Sequence, residues 1–372
     1  MRFPEFNGEW ENVALSEIAA RVTRKNKDNA SKLPLTISAQ YGLVDQISFF
    51  NKVVASADMS NYYLLRQGEF AYNKSYSSDY PWGAIKRLDR YPQGALSSLY
   101  ICFAVNDKVD SDFAVHYFES SKWHREVSNI AGKGARNHGL LNIAVGDFFD
   151  TKHRLPSSKE EQKKIAALLN LITERIATQI KIIEDLKKLK SAIRAKVFKQ
   201  LESSCECWSE IGNMLQYEQP SKYLVASTEY SDSYATPVLT ANKAFILGYT
   251  DEEFGIYSKG ECVIFDDFTM DVKFVNFPFK VKSSAIKILT SNSGNDLYFL
   301  YEYLQNLGLV SEEHKRHYIS EIEPMIVACP TFEEQQNISN LLRSFDSKIE
   351  YANRELTLYN KQKQYLLSQM FI

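Results

Sequence analysis

The strongest constraint on the fold of this 372-residue chain is that part of it occurs twice. Residues 155–171 read LPSSKEEQKKIAALLNL, and residues 329–345 read CPTFEEQQNISNLLRSF. Aligning Glu160-Glu161-Gln162 on Glu333-Glu334-Gln335 sets an offset of 173 residues, which then runs without a gap to the C-terminus. A repeat at this range means one structural unit built twice. In the first copy, apolar residues recur every seven positions along Leu169, Ile176, Ile183, Lys190, Val197 and along Ile165, Ile172, Gln179, Leu186, Ile193. In the second copy the rows are Leu342, Ile349, Leu356, Lys363, Met370 and Ile338, Phe345, Ala352, Tyr359, Leu366.

A narrow stripe sustained over that length predicts a coiled-coil seam rather than one face of a globular core. Each copy has a proline just ahead of it and glutamates in its first turn, where the helix dipole favours negative charge. A helix of that size is about 60 Å long at 1.5 Å per residue. Lys190 and Lys363 interrupt the same row at equivalent positions. A polar seam residue can fix helix register, or its long stem can carry the charge outward to water.

The segments ahead of the helices repeat more loosely. Both open on Trp (Trp10, Trp208), carry a Pro before an apolar run (Pro34, Pro237), and then have a Gly-Glu-led strand at Gly68 and Gly260. Each closes with an apolar-aromatic helix (Phe113 to Phe118; Leu297 to Leu304) and a basic loop. The expected fold is α+β: two globular α/β domains, residues 1–152 and 203–329, and two long helices, 153–202 and 330–372. Because each domain precedes its helix, antiparallel pairing of the helices would put a domain at each end, with pseudo-two-fold symmetry.

Composition narrows the function. The formal charge of −2 is unusual for a protein that binds phosphate over its whole surface, but residues 152–199 hold thirteen Lys/Arg against five Asp/Glu. A near-neutral chain with one basic belt suits DNA binding combined with docking of protein partners. Aromatic residues, at 13%, suit β-rich domains. The five cysteines, Cys102, Cys205, Cys207, Cys262 and Cys329, form no paired CxxC array, so reduced thiols are expected rather than zinc or a disulfide framework. With no apolar leader or membrane-length segment, the expected location is the cytoplasm.

The order domain, helix, domain, helix, with Pro156 and Pro330 opening the two Glu-Glu-Gln helices, resembles the specificity-subunit family of type I restriction–modification systems. Further stretches that carry the resemblance are GEFAYNKSYSSDYPWGAIK (68–86), PVLTANKAFILGYT (237–250) and GECVIFDDFTMDVKFVNFPFKVK (260–282). The resemblance covers essentially the whole chain. It implies that the two domains are target-recognition domains reading a split, asymmetric site on double-stranded DNA. It implies as partners two methyltransferase subunits, which would methylate adenine, and two restriction/translocase subunits. S-adenosylmethionine, ATP and magnesium are expected only in those partners, with no cofactor or metal in this chain. Half-sites less than about 60 Å apart would lie within about two helical turns of DNA.

Catalytic motifs are correspondingly sparse. There is no Gly-rich cofactor loop with an Asn/Asp-Pro-Pro-Tyr/Phe motif for a flipped adenine. Gly68 to Ser75 resembles a phosphate loop, but Asn73 stands where the second glycine belongs. Asp266, Asp267 and Asp271-Val-Lys273 leave open a metal-dependent nuclease, a readout loop or a structural turn. A coiled-coil scaffold that does not bind DNA is the remaining alternative. For direct readout the candidates in the first domain are Asn73, Lys74, Tyr76, Lys133, Arg136, Asn137 and His138. In the second they are Asn242, Lys243, Asp267, Thr269, Lys273, Lys315, Arg316 and His317. Arg and Lys can bond guanine, Asn adenine and Asp cytosine, while others in the set would contact only phosphate or water.

Overall fold

A computed structural model describes residues 1–132, 139–240, 245–311 and 316–371. The chain forms two compact units, one of residues 1–180 with 355–372 and the other of residues 181–354. The long helices, Lys159–Ser204 and Phe332–Met370, contribute a segment to each unit. No helix among the described residues is long and apolar enough to cross a membrane.

In the first unit a four-stranded antiparallel sheet runs in the order Ala19–Arg21, Ile101–Val105, Phe70–Asn73, Ala84–Arg87. Successive side chains on a strand point to opposite faces, and here both faces are covered. Phe70, Tyr72 and Phe103 pack with Phe113 and Phe118 of the helix Ser111–Glu119. Ala71 and Cys102, on the other face, pack with Leu35, Leu65 and Leu96. These last residues belong to a second sheet, ordered Gly42–Asp45, Pro34–Ser38, Gln93–Leu96, Tyr63–Arg66. Burial on both faces explains why the Gly-Glu-led strand is apolar throughout instead of alternating.

The second unit repeats the plan. Its main sheet is Leu215–Glu218, Ile286–Ser291, Cys262–Asp266, Val272–Val275. Val263 and Phe265 face the helix Leu297–Asn306, while Cys262 and Ile264 face Leu239 and Val281 of a smaller sheet. The glycines that lead the central strands, Gly68 and Gly260, have φ of +87° and +101°, which a side chain would oppose.

An antiparallel ribbon closes each domain. Trp10–Ala14 pairs with Lys152–Pro156, and Trp208–Glu210 with Ile326–Ala328. Residues 153–156, expected in the first helical region, therefore finish this ribbon, because their backbone is paired with Trp10 to Val13. The helix begins just beyond.

The glutamine of the Glu-Glu-Gln motif holds each domain to its helix in the same way. Gln162 Oε1 accepts from the backbone N–H of Asp110 (2.7 Å), and its Nε2 donates to the carbonyl of Pro156 (2.9 Å). Gln335 Oε1 accepts from the N–H of Asp296 (2.8 Å), and its Nε2 donates to the carbonyl of Pro330 (3.0 Å). Asp110 and Asp296 are themselves the N-caps of the two aromatic helices. Both glutamines are buried, so each amide is satisfied only in this one arrangement.

All twenty seam positions are buried or half-buried, as the seven-residue period requires. Within the first unit, Gln179 bonds Glu355 (3.3 Å), while Ile165 and Leu169 share a core with Leu366, Leu367 and Met370. Within the second, Phe198 and Leu342 share a core, and Lys190 reaches Asp346 (2.6 Å). The helix segments in each unit are therefore antiparallel.

Replacing Gln335 with Ala would leave a buried N–H and carbonyl unpaired, at about 1–3 kcal/mol. Urea denaturation should register that loss, whereas alanine at exposed Gln336 should change stability by less than about 0.5 kcal/mol. A second expectation concerns buried His153, whose ring lies between the hydroxyls of Tyr117 (3.0 Å) and Thr151 (2.8 Å). Burial pushes its pKa down from 6.5 to about 4, so between those values the unfolded chain binds the extra proton. This contribution is fully present above the ordinary value and is lost as pH falls, by at most about 1.4 kcal/mol per pH unit. His153→Gln should therefore lose stability less steeply than the parent between pH 6.5 and 4, measured as urea midpoint against pH.

Candidate nucleic-acid interface

In the first domain the candidate residues at the end of the central strand come together with the flanks of the basic loop. Tyr76 N–H donates to the carbonyl of Gly139 (3.0 Å), and Leu141 N–H to that of Lys74 (2.9 Å). Asn73 Oδ1 accepts from Ser75 N–H (3.0 Å), which turns the chain there. Lys74 Nζ reaches the Ile143 carbonyl at 3.4 Å, and the Tyr76 ring is exposed. Lys133, Arg136, Asn137 and His138 lie outside the described residues, between those flanks.

The second domain makes the corresponding junction. The hairpin after Cys262–Asp266 meets residues 316–318, with His317 N–H donating to the Asp267 carbonyl (3.1 Å). Asp267 Oδ1 accepts from the N–H groups of His317 (3.1 Å) and Tyr318 (2.9 Å). Its other oxygen faces the buried Lys287 ammonium at 3.7 Å. Thr269 and Arg316 are exposed, and Lys273 is half-buried against Asp271 (3.1 Å). Asn242, Lys243 and Lys315 lie outside the described residues.

Two candidates require correction. Asp267 and His317 were expected to face DNA, but both are buried, with 2% of their surface exposed. Asp267 holds the loop junction together, and His317 is held between Ser311 (2.9 Å) and Glu321 (2.9 Å). Their polarity is used inside the domain. Asp266 is also buried and caps the turn, accepting from Phe268 (2.8 Å) and Thr269 (3.3 Å) N–H groups. Asp266 and Asp267 of this acidic run thus serve a structural turn. Among the described residues, no group of three or more His, Cys, Asp or Glu is placed to hold a metal ion.

The seam lysines go neither to water nor solely to the facing helix. Lys363 turns toward the first domain and pairs with Glu119 (2.9 Å), which Lys86 (3.6 Å) and His116 (3.4 Å) also approach. Burial alone would raise the pKa of Glu119. The His116 hydrogen bond and the charges of Lys363 and Lys86 outweigh it and hold the carboxyl well below the usual range. Lys190 pairs with Glu302 of the second domain (2.6 Å) as well as with Asp346 across the seam (2.6 Å), and Arg194 adds a second cation to Glu302 (3.2 Å). Each lysine thus ties its seam to the aromatic helix of a domain.

Sequence reasoning passed over one surface. Tyr41, Ile47, Phe49, Phe50, Val53 and Val54 of the first domain are all exposed, and the Phe49 ring contacts those of Tyr41 and Phe50 at 6.4 and 5.0 Å. Exposed apolar groups that cluster in this way mark interaction surfaces. The run Ile47-Ser48-Phe49-Phe50 carried that signal, but inside a fold of unknown pairing it reads equally well as core.

Two α/β domains, each locked to a long helix, make up the fold of the specificity subunits of type I restriction–modification systems. Over its whole length the chain superimposes on the S subunit of such a system from M. genitalium, at a TM-score of 0.60 and 16% identity, covering 99% of that chain. A chain from a type I R-M system solved for its complex assembly and conformational transition matches at a TM-score of 0.58 and 16% identity, with 99% of this chain and 98% of that one covered. By sequence the chain is 42% identical over 176 residues to the Escherichia coli type I restriction enzyme EcoR124I/EcoR124II specificity subunit. That match spans 44% of this chain and 44% of the relative, less than half of each. No family model matches the chain. The resemblance read from the repeated helices thus holds in fold over the full length and in sequence over part of it.

Lys190→Met should destabilise the second unit by about 2–3 kcal/mol, because it leaves Glu302 buried with Arg194 as its remaining cation. Denaturant unfolding followed by hydrogen exchange in Leu297–Asn306 would localise the loss.

Proposed function

We propose that this chain is the DNA sequence-specificity subunit of a type I restriction–modification complex. The observation that carries the reading is the doubled unit: a domain with a loop junction at one sheet end, locked through a buried glutamine to a long helix. Double-stranded DNA then lies against the two loop junctions, one half of a split asymmetric site on each. The difference in chemistry between them supports this asymmetry, since the first junction carries Asn73, Lys74 and Tyr76 where the second carries Thr269, Lys273 and Arg316.

The partners are two methyltransferase subunits and two restriction/translocase subunits, acting in the cytoplasm. S-adenosylmethionine, ATP and magnesium serve those partners, and this chain is non-catalytic. Leu358 and Tyr365 on the second long helix, spaced by seven and both exposed within the first unit, support docking of a protein partner on that helix. Burial of Asp266 and Asp267 in a capped turn disfavours the nuclease alternative, because carboxylates that accept backbone N–H bonds are not free to converge on a metal.

Co-expression with the neighbouring methyltransferase subunit, followed by single-molecule sequencing of host DNA, tests the reading. The expected result is adenine methylation at one split, asymmetric motif. A stable complex that adds no methylation anywhere would overturn it.

A further inference from the structure

The second unit brings Cys329 beside Cys205 and Cys207, from which it is far removed in sequence. The ribbon register Trp208↔Ala328, Ser209↔Val327, continued by one residue, sets Cys207 opposite Cys329. The N–H of Cys329 donates to the carbonyl of Cys207 at 2.9 Å, so the two form a hydrogen-bonded cross-strand pair. Cα atoms in such a pair lie about 5.5 Å apart, inside the range that a disulfide spans. Burial and the neighbouring Cys207 thiol push the Cys329 thiol pKa up. Cys205 stands at the same place, its Sγ donating to the Cys207 carbonyl at 3.1 Å. Cys207 is exposed, whereas Cys205 and Cys329 are half-buried.

We propose that Cys207 and Cys329 are a reversible dithiol–disulfide pair, a modification site that clasps the end of the first long helix to the start of the second. Ser204 ends one helix three residues before Cys207, and Phe332 begins the other three residues after Cys329. The bond would close the whole second domain into a loop. The oxidant is a hydroperoxide. The exposed Cys207 thiolate attacks its terminal oxygen, giving a sulfenic acid and releasing water or an alcohol. The Cys329 thiolate then attacks that sulfur, forming the S–S bond as a second water leaves. Two thiols lose two protons and two electrons, and the O–O bond takes up both electrons. An external thiol reverses the step. The first domain has no counterpart, since its ribbon pairs Trp10 with Pro156 and carries no cysteine.

The test is peroxide treatment of the full chain, thiol blocking under denaturing conditions, and non-reducing peptide mapping. The expected product is a Cys207–Cys329 crosslink lighter by two hydrogens and reversed by dithiothreitol. Cys205 and Cys207 share one tryptic peptide, so variants make the assignment: Cys205→Ser keeps the crosslink, while Cys207→Ser and Cys329→Ser each abolish it. Oxidation should also raise the melting temperature of the parent chain by a few degrees. Sulfinic or sulfonic acid at Cys207 without a crosslink, a crosslink that survives in Cys207→Ser, or bonds only between chains would overturn the proposal.

Discussion

Both halves of this protein depend on one buried amide. The side chain of Gln162 or Gln335 joins the first turn of a long helix to the backbone of the residue that caps a domain's aromatic helix. An amide buried without partners is costly, so an arrangement that satisfies donor and acceptor together is favoured over slipped alternatives. Apolar packing around it is less directional and could tolerate small rotations. The amide is what sets the angle at which each domain leaves its helix.

The second tie is electrostatic and less symmetrical. Lys363 and Lys190 occupy equivalent places in their helices, yet their acidic partners do not. Counting from the N-caps Asp110 and Asp296, Glu119 and Glu302 stand at different positions of the aromatic helices. A flexible four-carbon stem lets the same lysine reach either. The two copies thus keep the function of a contact while its far partner drifts. The glutamate ahead of each glutamine has diverged further, in role as well as in partner. Glu161 binds Arg2 (2.7 Å) and the Trp10 indole (3.2 Å), whereas Glu334 caps its own helix through Thr331 (2.8 Å).

Diversity concentrates where the sheet ends. The first domain leaves the strand after Phe70–Asn73 with Asn73, Lys74 and Tyr76, and the second leaves Cys262–Asp266 through a tight turn with Met270 at φ +58°. In each case the backbone of that loop is bonded to the segment returning toward the ribbon. A rigid scaffold with two independently variable loop junctions allows one element to change without disturbing the other, as expected where loops carry function.

The doubled helices, their seam and the α+β class were legible in the sequence, because a seven-residue apolar period needs only one helix to be read. The Gly-Glu strands and aromatic helices were legible for the same local reason. Asp267 and His317 were misplaced because an acid or imidazole in a polar run looks alike whether it faces solvent or an internal N–H. Only the folded chain decides which groups meet. Cys207 opposes Cys329, Lys190 finds Glu302, and Gln335 reaches Asp296, each through pairings whose separation in sequence carries no periodic signal. Periodicity along one chain determined the elements, whereas the satisfaction of buried polar groups across the fold decided their partners.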